Sequence, residues 1–298
     1  MDLFTPIALG DLSLANRMTM APLTRNRSDE HGVPGAIVAE YYAQRASLGM
    51  IVTEGVFPAQ EAKSYAGQPG IETEAQVAGW RAVTDAVHAA GGLIVLQLMH
   101  GGRVGHTAIS GTDRVVGPSA IAIDGSVHTP SGRLPYPVPH ALAAVELEST
   151  KAELVRGAVN AIRAGFDGVE VHSANGYLLH EFLSPVSNVR VDGYGGSPAN
   201  RARFVIEVAE AIGEAIGAGR TGIRISPANN GIKDVVETDP DDVRATYGAL
   251  IDGIATLGLA YLSVLHADIG GDLVQELRTR FGGPVIANTG FAAMTTRS

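Results

Sequence analysis

An alternation of two periodicities constrains this chain more than any other feature of its sequence. Short apolar runs rich in β-branched residues recur at Met18–Ala21, Met50–Val56, Leu93–Met99, Gly168–His172, Gly222–Ser226, Tyr261–His266 and Pro284–Asn288. Stretches of helical period lie between most of them: Pro34–Leu48, Ala75–Ala90, Ser149–Ala164, Pro198–Ile216, Pro240–Leu257 and Gly271–Phe281. Several of these open with Pro or an Asp/Ser cap and close at Gly, as helices do. Strands alternating with helices predict parallel βαβ units. A doubly wound sheet would alternate in the same way, but it places a Gly-rich dinucleotide loop after its first strand, and none follows Met18–Ala21. The expected fold is therefore an α/β TIM barrel of the (β/α)8 type with seven strands readable, forming a single domain over residues 1–298. A chain of 298 residues that is 45% hydrophobic supplies enough apolar surface for one large core.

Two segments fall outside the alternation. Ile7–Leu14 reads as a small hairpin placed to cap the bottom of a barrel. The stretch from Gly101 to Leu147, rich in Gly and Pro and carrying His128, Tyr136 and His140, reads as a long loop subdomain over the third strand's C-terminal end; loops of this length usually carry function.

Composition excludes several partners. A net charge of −9 argues against a polyanion such as nucleic acid, which needs a clustered Lys/Arg face. The absence of cysteine removes disulfides, thiolate metal sites and a cysteine nucleophile. Neither a basic leader nor a run of membrane-spanning length is present, so the expectation is a soluble cytoplasmic protein that binds neither membrane nor nucleic acid.

Polar residues interrupt the strands in register. Residues two apart share a strand face, so Glu170 and His172 point one way while Val169 and Val171 point the other. Arg224 stands between Ile223 and Ile225, and Gln97 between Leu96 and Leu98. If the aliphatic set meets the helices, these four face the barrel interior near the strands' C-terminal ends, where this architecture carries catalytic and cofactor groups. Buried polar groups need partners, and a Glu170–Arg224 ion pair is one plain answer. A metal is another, but His100, His106, His172, His180 and His266 match no ligand spacing, so none is expected. Lys63, Lys151 and Lys233 fall in loops or helices rather than at strand ends, which disfavours a Schiff-base aldolase. A carboxylate pair of Glu54 and Glu170 leaves a glycosidase open at this point.

The run Val169-Glu170-Val171-His172-Ser173-Ala174-Asn175-Gly176-Tyr177-Leu178-Leu179-His180-Glu181-Phe182-Leu183-Ser184-Pro185 closely resembles the active-site segment of the Old Yellow Enzyme family. Ala21-Pro22-Leu23-Thr24-Arg25, Thr53-Glu54-Gly55, Gln97-Leu98-Met99-His100-Gly101-Gly102-Arg103, Asn188–Phe204 and Gly222-Ile223-Arg224-Ile225-Ser226-Pro227 are similar to further family segments, in the family's order. The resemblance spans essentially the whole chain. It implies an NAD(P)H-dependent reductase that binds FMN non-covalently at the barrel mouth and reduces the C=C bond of α,β-unsaturated carbonyls, maleimides or nitroalkenes, acting as a monomer or homodimer.

The roles it implies are specific. Pro22, Leu23, Thr24, Gly55, Gln97, His172, Arg224, Thr289 and Gly290 would bind the cofactor. His172 and Asn175 would hold the substrate's activating oxygen, and Tyr177 would donate the proton. Tyr65 and Met99 would line the substrate pocket with His172, Asn175 and Tyr177. Without the motif, Thr24 reads as a solvated loop residue and Tyr177 as a packed aromatic; His172 and Asn175 taken singly read as ordinary turn or core residues, and only their placement together changes that. Two departures stand out. Ala228-Asn229-Asn230 lies where relatives often carry an aromatic, and the sequence stops at Ser298, before the eighth strand and its Gly-Arg phosphate contact. A truncated chain is the expectation, with an inactive fragment that does not retain FMN as the alternative reading.

Overall fold

The computed structural model describes residues 2–228 and 231–289. In chain order, it contains strands β1 (Ile7–Leu9), β2 (Leu12–Leu14) and β3 (Thr19–Met20), helix α1 (Ala36–Ala43), β4 (Met50–Val56), α2 (Glu74–Ala89), β5 (Ile94–Leu98) and the short α3 (Thr107–Ser110). Then come β6 (Val116–Gly117), β7 (Ser126–Thr129), β8 (Gly132–Pro135), β9 (His140–Ala141), α4 (Ala144–Arg163), β10 (Gly168–Ser173), α5 (Leu178–Leu183), α6 (Pro198–Ile216), β11 (Thr221–Ile225), α7 (Pro240–Ile254), β12 (Tyr261–Leu265), α8 (Asp272–Phe281) and β13 (Val285–Asn288). Seven strands form one parallel sheet in the order β13-β12-β11-β10-β5-β4-β3. With helices around it, the sheet makes a nearly closed TIM barrel, the fold class expected. A cavity of about 550 Å³ lined by Ile7, Leu9, Met18, Thr19, Val285 and Ile286, among others, separates β3 from β13. Among the described residues no strand pairs their outer edges.

Alternation along the strands sorts the core into two layers. Leu96, Leu98, Val169, Val171, Ile223 and Ile225 join Phe204, Val205, Val208 and Ile212 of α6 in the large outer cluster. Leu9, Leu12 and Leu14 of the β1–β2 hairpin pack instead with Met50, Val52, Val95 and Tyr261 inside the barrel, so the hairpin closes its lower end. Asp11 N–H ties the hairpin to the Gly219 carbonyl at 2.8 Å.

Helix starts follow local chemistry. Ser197 caps α6 and Asp239 caps α7, each followed by Pro in the first turn, and Thr73 with Gln76 forms a reciprocal capping box on α2. Such a cap contributes about 1 kcal/mol. Two helices differ from the spacing. Helix α4 starts at Ala144 rather than Ser149, because Glu146 reaches back to accept from the Ala143 N–H at 2.8 Å. Helix α1 ends at Ala43 rather than Leu48, and the chain continues in tighter turns in which Arg45, Ala46 and Leu48 bond to carbonyls three residues back. The loop from Gly101 to Leu147 holds α3 and the short strands β6 to β9. No helix among the described residues is long and apolar enough to cross a membrane.

Candidate active site

Strand register brings the interior polar residues together. Glu170 stands opposite Gln97 on one side and Gly222 on the other, while His172 stands opposite Arg224, and Arg224 opposite Ser263. Gln97 Nε2 donates to Glu170 Oε1 at 2.8 Å, and Arg224 Nη1 donates to Ser263 Oγ at 2.9 Å. A direct Glu170–Arg224 ion pair is therefore not formed: register seats Arg224 one pleat above Glu170, beside His172. Arg224 still acts through space. Burial raises the Glu170 carboxyl above its ordinary range, and the Arg224 charge partly offsets this. Gly222 is required here because a Cβ would fall 2.3 Å from the Tyr261 ring, which crosses the barrel interior. Sequence spacing gave no sign of Tyr261 or Ser263, since both read as ordinary strand residues.

Several buried polar atoms in this layer have no protein partner among the described residues: Arg224 Nε, His172 Nδ1, Glu170 Oε2 and Asn175 Oδ1. Unsatisfied atoms are uncommon in folded proteins and each calls for an explanation. Above them opens a cavity of about 350 Å³ lined by Ala21, Pro22, Leu23, Thr24, Asn175, Arg224, Leu265 and Asn288. A narrower one of about 40 Å³ shares Ala21, Pro22, Arg224 and Asn288 with it and reaches Glu170 and Ser263. Gly55 lies opposite Gln97, and the Met99 thioether fills the space where a Cβ on Gly55 would stand. Thr289 follows β13 and is half-buried, whereas Gly290 lies outside the described residues.

Beyond the end of β10 the chain turns sharply. Asn175 takes φ 59° and Gly176 φ 77°, which swings Tyr177 back toward the strand, with its ring centroid 5.2 Å from that of His172. The Tyr177 and Tyr65 hydroxyls are 2.9 Å apart. Met99, Val104, Ile123 and Tyr177 form a separate apolar cluster, with Tyr65 and Tyr136 packed against it. Burial pushes the Tyr177 and Tyr65 hydroxyls above the ordinary tyrosine range, and it holds His172 well below the ordinary histidine range, with the Arg224 charge adding to the effect.

A second set of residues, to which spacing in the sequence assigned no role, braces this turn. His180 Nδ1 accepts from the Gly176 N–H at 3.0 Å, which leaves its Nε2 proton for Glu237 Oε1 (3.1 Å) or the Tyr247 hydroxyl (3.0 Å). Leu178 N–H bonds to the His100 carbonyl, fixing the start of α5. Lys233, dismissed by position as a loop residue, lies against the Tyr177 ring with its Nζ 3.1 Å from the centroid. These contacts join α5, α7 and loops distant in the chain, so only the folded chain discloses them.

Known proteins share this chain's sequence and fold over most of its length. Residues 2–272 match the family described as NADH:flavin oxidoreductase / NADH oxidase. A Leishmania infantum protein named "Probable flavin mononucleotide-dependent alkene reductase" is 44% identical over 273 residues, covering 88% of this chain and 73% of the relative. Among solved structures, the old yellow enzyme homologue from Zymomonas mobilis superposes with a TM-score of 0.92 at 39% identity, covering 98% of this chain and 83% of that one. Morphinone reductase in complex with tetrahydroNAD superposes with a TM-score of 0.89 at 41% identity, covering 96% and 80%. The chain thus belongs to the NADH:flavin oxidoreductase / NADH oxidase family, as a member of its Old Yellow Enzyme group.

Proposed function

We propose that this protein is an FMN-dependent ene-reductase that uses NAD(P)H to reduce the C=C bond of α,β-unsaturated carbonyl, maleimide or nitroalkene substrates. The observation that carries the reading is the set of unpartnered buried atoms on Arg224, His172 and Asn175 beside a cavity walled by Pro22, Leu23 and Leu265. Such a lining fits a planar ring with donors and acceptors along one edge, which is what an isoalloxazine presents. Arg224, Gln97, His172, Thr24, Pro22, Leu23, Gly55 and Thr289 would hold it, with Gly290 as a further expected contact. Bound FMN would supply a two-electron carrier able to take hydride from a reduced nicotinamide and pass it to the alkene's β-carbon. The fixed Arg224 cation would favour the anionic form of the reduced ring.

The chain's own residues account for the rest. His172, kept neutral by burial, and the Asn175 amide can both donate to the substrate's carbonyl or nitro oxygen, polarising the alkene toward attack at the β-carbon. Each such preorganised donor contributes roughly 2.7–4 kcal/mol in comparable oxyanion sites. Tyr177, kept protonated by burial, gives its hydroxyl proton to the α-carbon. Tyr65, Met99 and Tyr136 wall an apolar space beside Tyr177 that excludes water from the developing enolate.

The test is visible absorption of the purified chain before and after FMN, then under argon with NADPH and with an enone. The expected result is a flavin band that bleaches with NADPH and returns when the enone is added. A protein that takes up no FMN would overturn the reading.

A further inference from the structure

Burial sets a problem for proton donation by Tyr177. A phenol that gives up its proton in an apolar cluster leaves a phenolate, and desolvation opposes that charge. Its neighbours in the cluster are Met99, Val104 and Ile123, with the hydroxyls of Tyr65 and Tyr136 nearby, and none of these carries a positive charge.

The turn after β11 brings in a cation. Lys233 adopts φ 54°, and Asp234 also has φ 54°, a left-handed pair that non-glycine residues seldom adopt. Two clasps hold the turn in place. Arg103 Nη2, on a buried side chain, donates to the carbonyls of Lys233 (2.9 Å) and Asp234 (3.1 Å), and Lys233 Nζ donates to the Asn175 carbonyl at 2.9 Å. Gly176 leaves room for this approach, since a Cβ there would fall 3.0 Å from Lys233 Cβ. The ammonium thereby rests on the π face of Tyr177, with no carboxylate among the described residues in ion-pair contact.

We propose that Lys233 is a positioning residue for the protonation step: its ammonium, held on the Tyr177 ring by the Asn175 carbonyl, stabilises the phenolate that forms as Tyr177 hands its proton to the substrate's α-carbon. This rests on the ene-reductase reading and deepens it. In the step the Tyr177 O–H bond breaks and a C–H bond forms at the α-carbon of the enolate, leaving the charge on the phenolate. Solvent can then return a proton through the half-buried Tyr65, whose hydroxyl is 2.9 Å away. The same burial depresses the lysine to about 7, so its charge is present below that pH and lost above it. The other titratable and charged groups around it are Tyr177 and His172 on the β10 side, Glu181 on α5, Arg103 and its own neighbour Asp234. Among them only Glu181 acts to raise the lysine, and its carboxyl is itself raised to about 8, so near pH 7 it is largely protonated and leaves the lysine's charge to burial.

The experiment uses the FMN-loaded enzyme and its Lys233→Met, Lys233→Arg, Tyr177→Phe and Lys233→Met/Tyr177→Phe variants. Flavin reduction by NADPH and flavin reoxidation by an enone are timed separately across pH. Lys233→Met should slow the enone step about ten-fold, an effect exceeding any change in the NADPH step. The wild-type enone rate should fall as pH rises through about 7, Lys233→Met should lose that dependence, and Lys233→Arg should carry the rate to higher pH. Adding Lys233→Met to Tyr177→Phe should change nothing further. A cofactor-free readout is also open, because Lys63, Lys151 and Lys233 are the chain's only lysines. In protein labelled with 13C-lysine, one ε-carbon signal should titrate near 7 and vanish in Lys233→Arg. Unaltered enone kinetics and pH profile in Lys233→Met, or three lysine signals that all titrate as in free lysine, would overturn this role alone. A wild-type enzyme that reduces no alkene would overturn the function as well.

Discussion

At the scale of single residues, the site depends on placing polar atoms that have no protein partners of their own. The Asn175 side-chain oxygen is buried and unpartnered, and its backbone sits at φ 59°, a conformation Asn and Asp tolerate better than other non-glycine residues. Asn175→Asp keeps that tolerance and the side chain's shape but replaces the amide donor with a carboxylate. It should lower kcat for enone reduction by about 10²-fold or more, with the fold retained by circular dichroism. Unchanged turnover would remove Asn175 from the substrate's oxygen site. The interior Gln97, Glu170, His172 and Arg224 were legible as polar residues interrupting aliphatic strands. Their pairing was not, because a one-pleat offset decides whether Arg224 meets Glu170 or His172, and alternation along one strand contains no information about its neighbour's register.

At the scale of elements, the helices that frame the site depend on aromatic packing and on their caps. Phe204 of α6 is fully buried, and its ring lies 4.7 Å from that of Phe182 on α5, the helix that follows Tyr177. Phe204→Ala should cost about 3–5 kcal/mol of stability, read as a lower denaturation midpoint in urea. A loss below about 1 kcal/mol would mean that α5 does not depend on α6 for its seat. Helix starts at Pro198 and Pro240 were legible to the residue because Ser197-Pro198 and Asp239-Pro240 encode cap and first turn locally. Helix α5 was hidden, since its six residues are all buried and show no amphipathic period. Its position comes from the His100 carbonyl and from His180 against Glu237 and Tyr247, partners far apart in the chain.

For the molecule as a whole, buried ionisable groups couple the site to stability. Desolvation raises Glu181 to about 8 against a local Arg103 charge, whereas in the unfolded chain it titrates near 4.5. The folded state therefore holds an extra proton between those values. The stability this contributes is complete below about 4.5 and is lost as pH rises toward about 8. Glu181→Gln, neutral at every pH, should flatten the fall of the thermal midpoint with pH. The comparison belongs below about 7, because Lys233 acts in the opposite sense above that value. An identical slope in the variant would show that Glu181 is not protonated in the fold. By itself the sequence determined the barrel class, the order of its strands and helices and the family motifs, because periodicity, caps and short motifs are local properties of the chain. Tertiary structure alone decided that Arg224 stands beside His172, that Ser263 and Tyr261 complete the interior layer, and that Lys233 and Arg103 clasp the Tyr177 turn. Those relations join residues from different strands and loops, and only strand register and loop packing bring them within bonding distance.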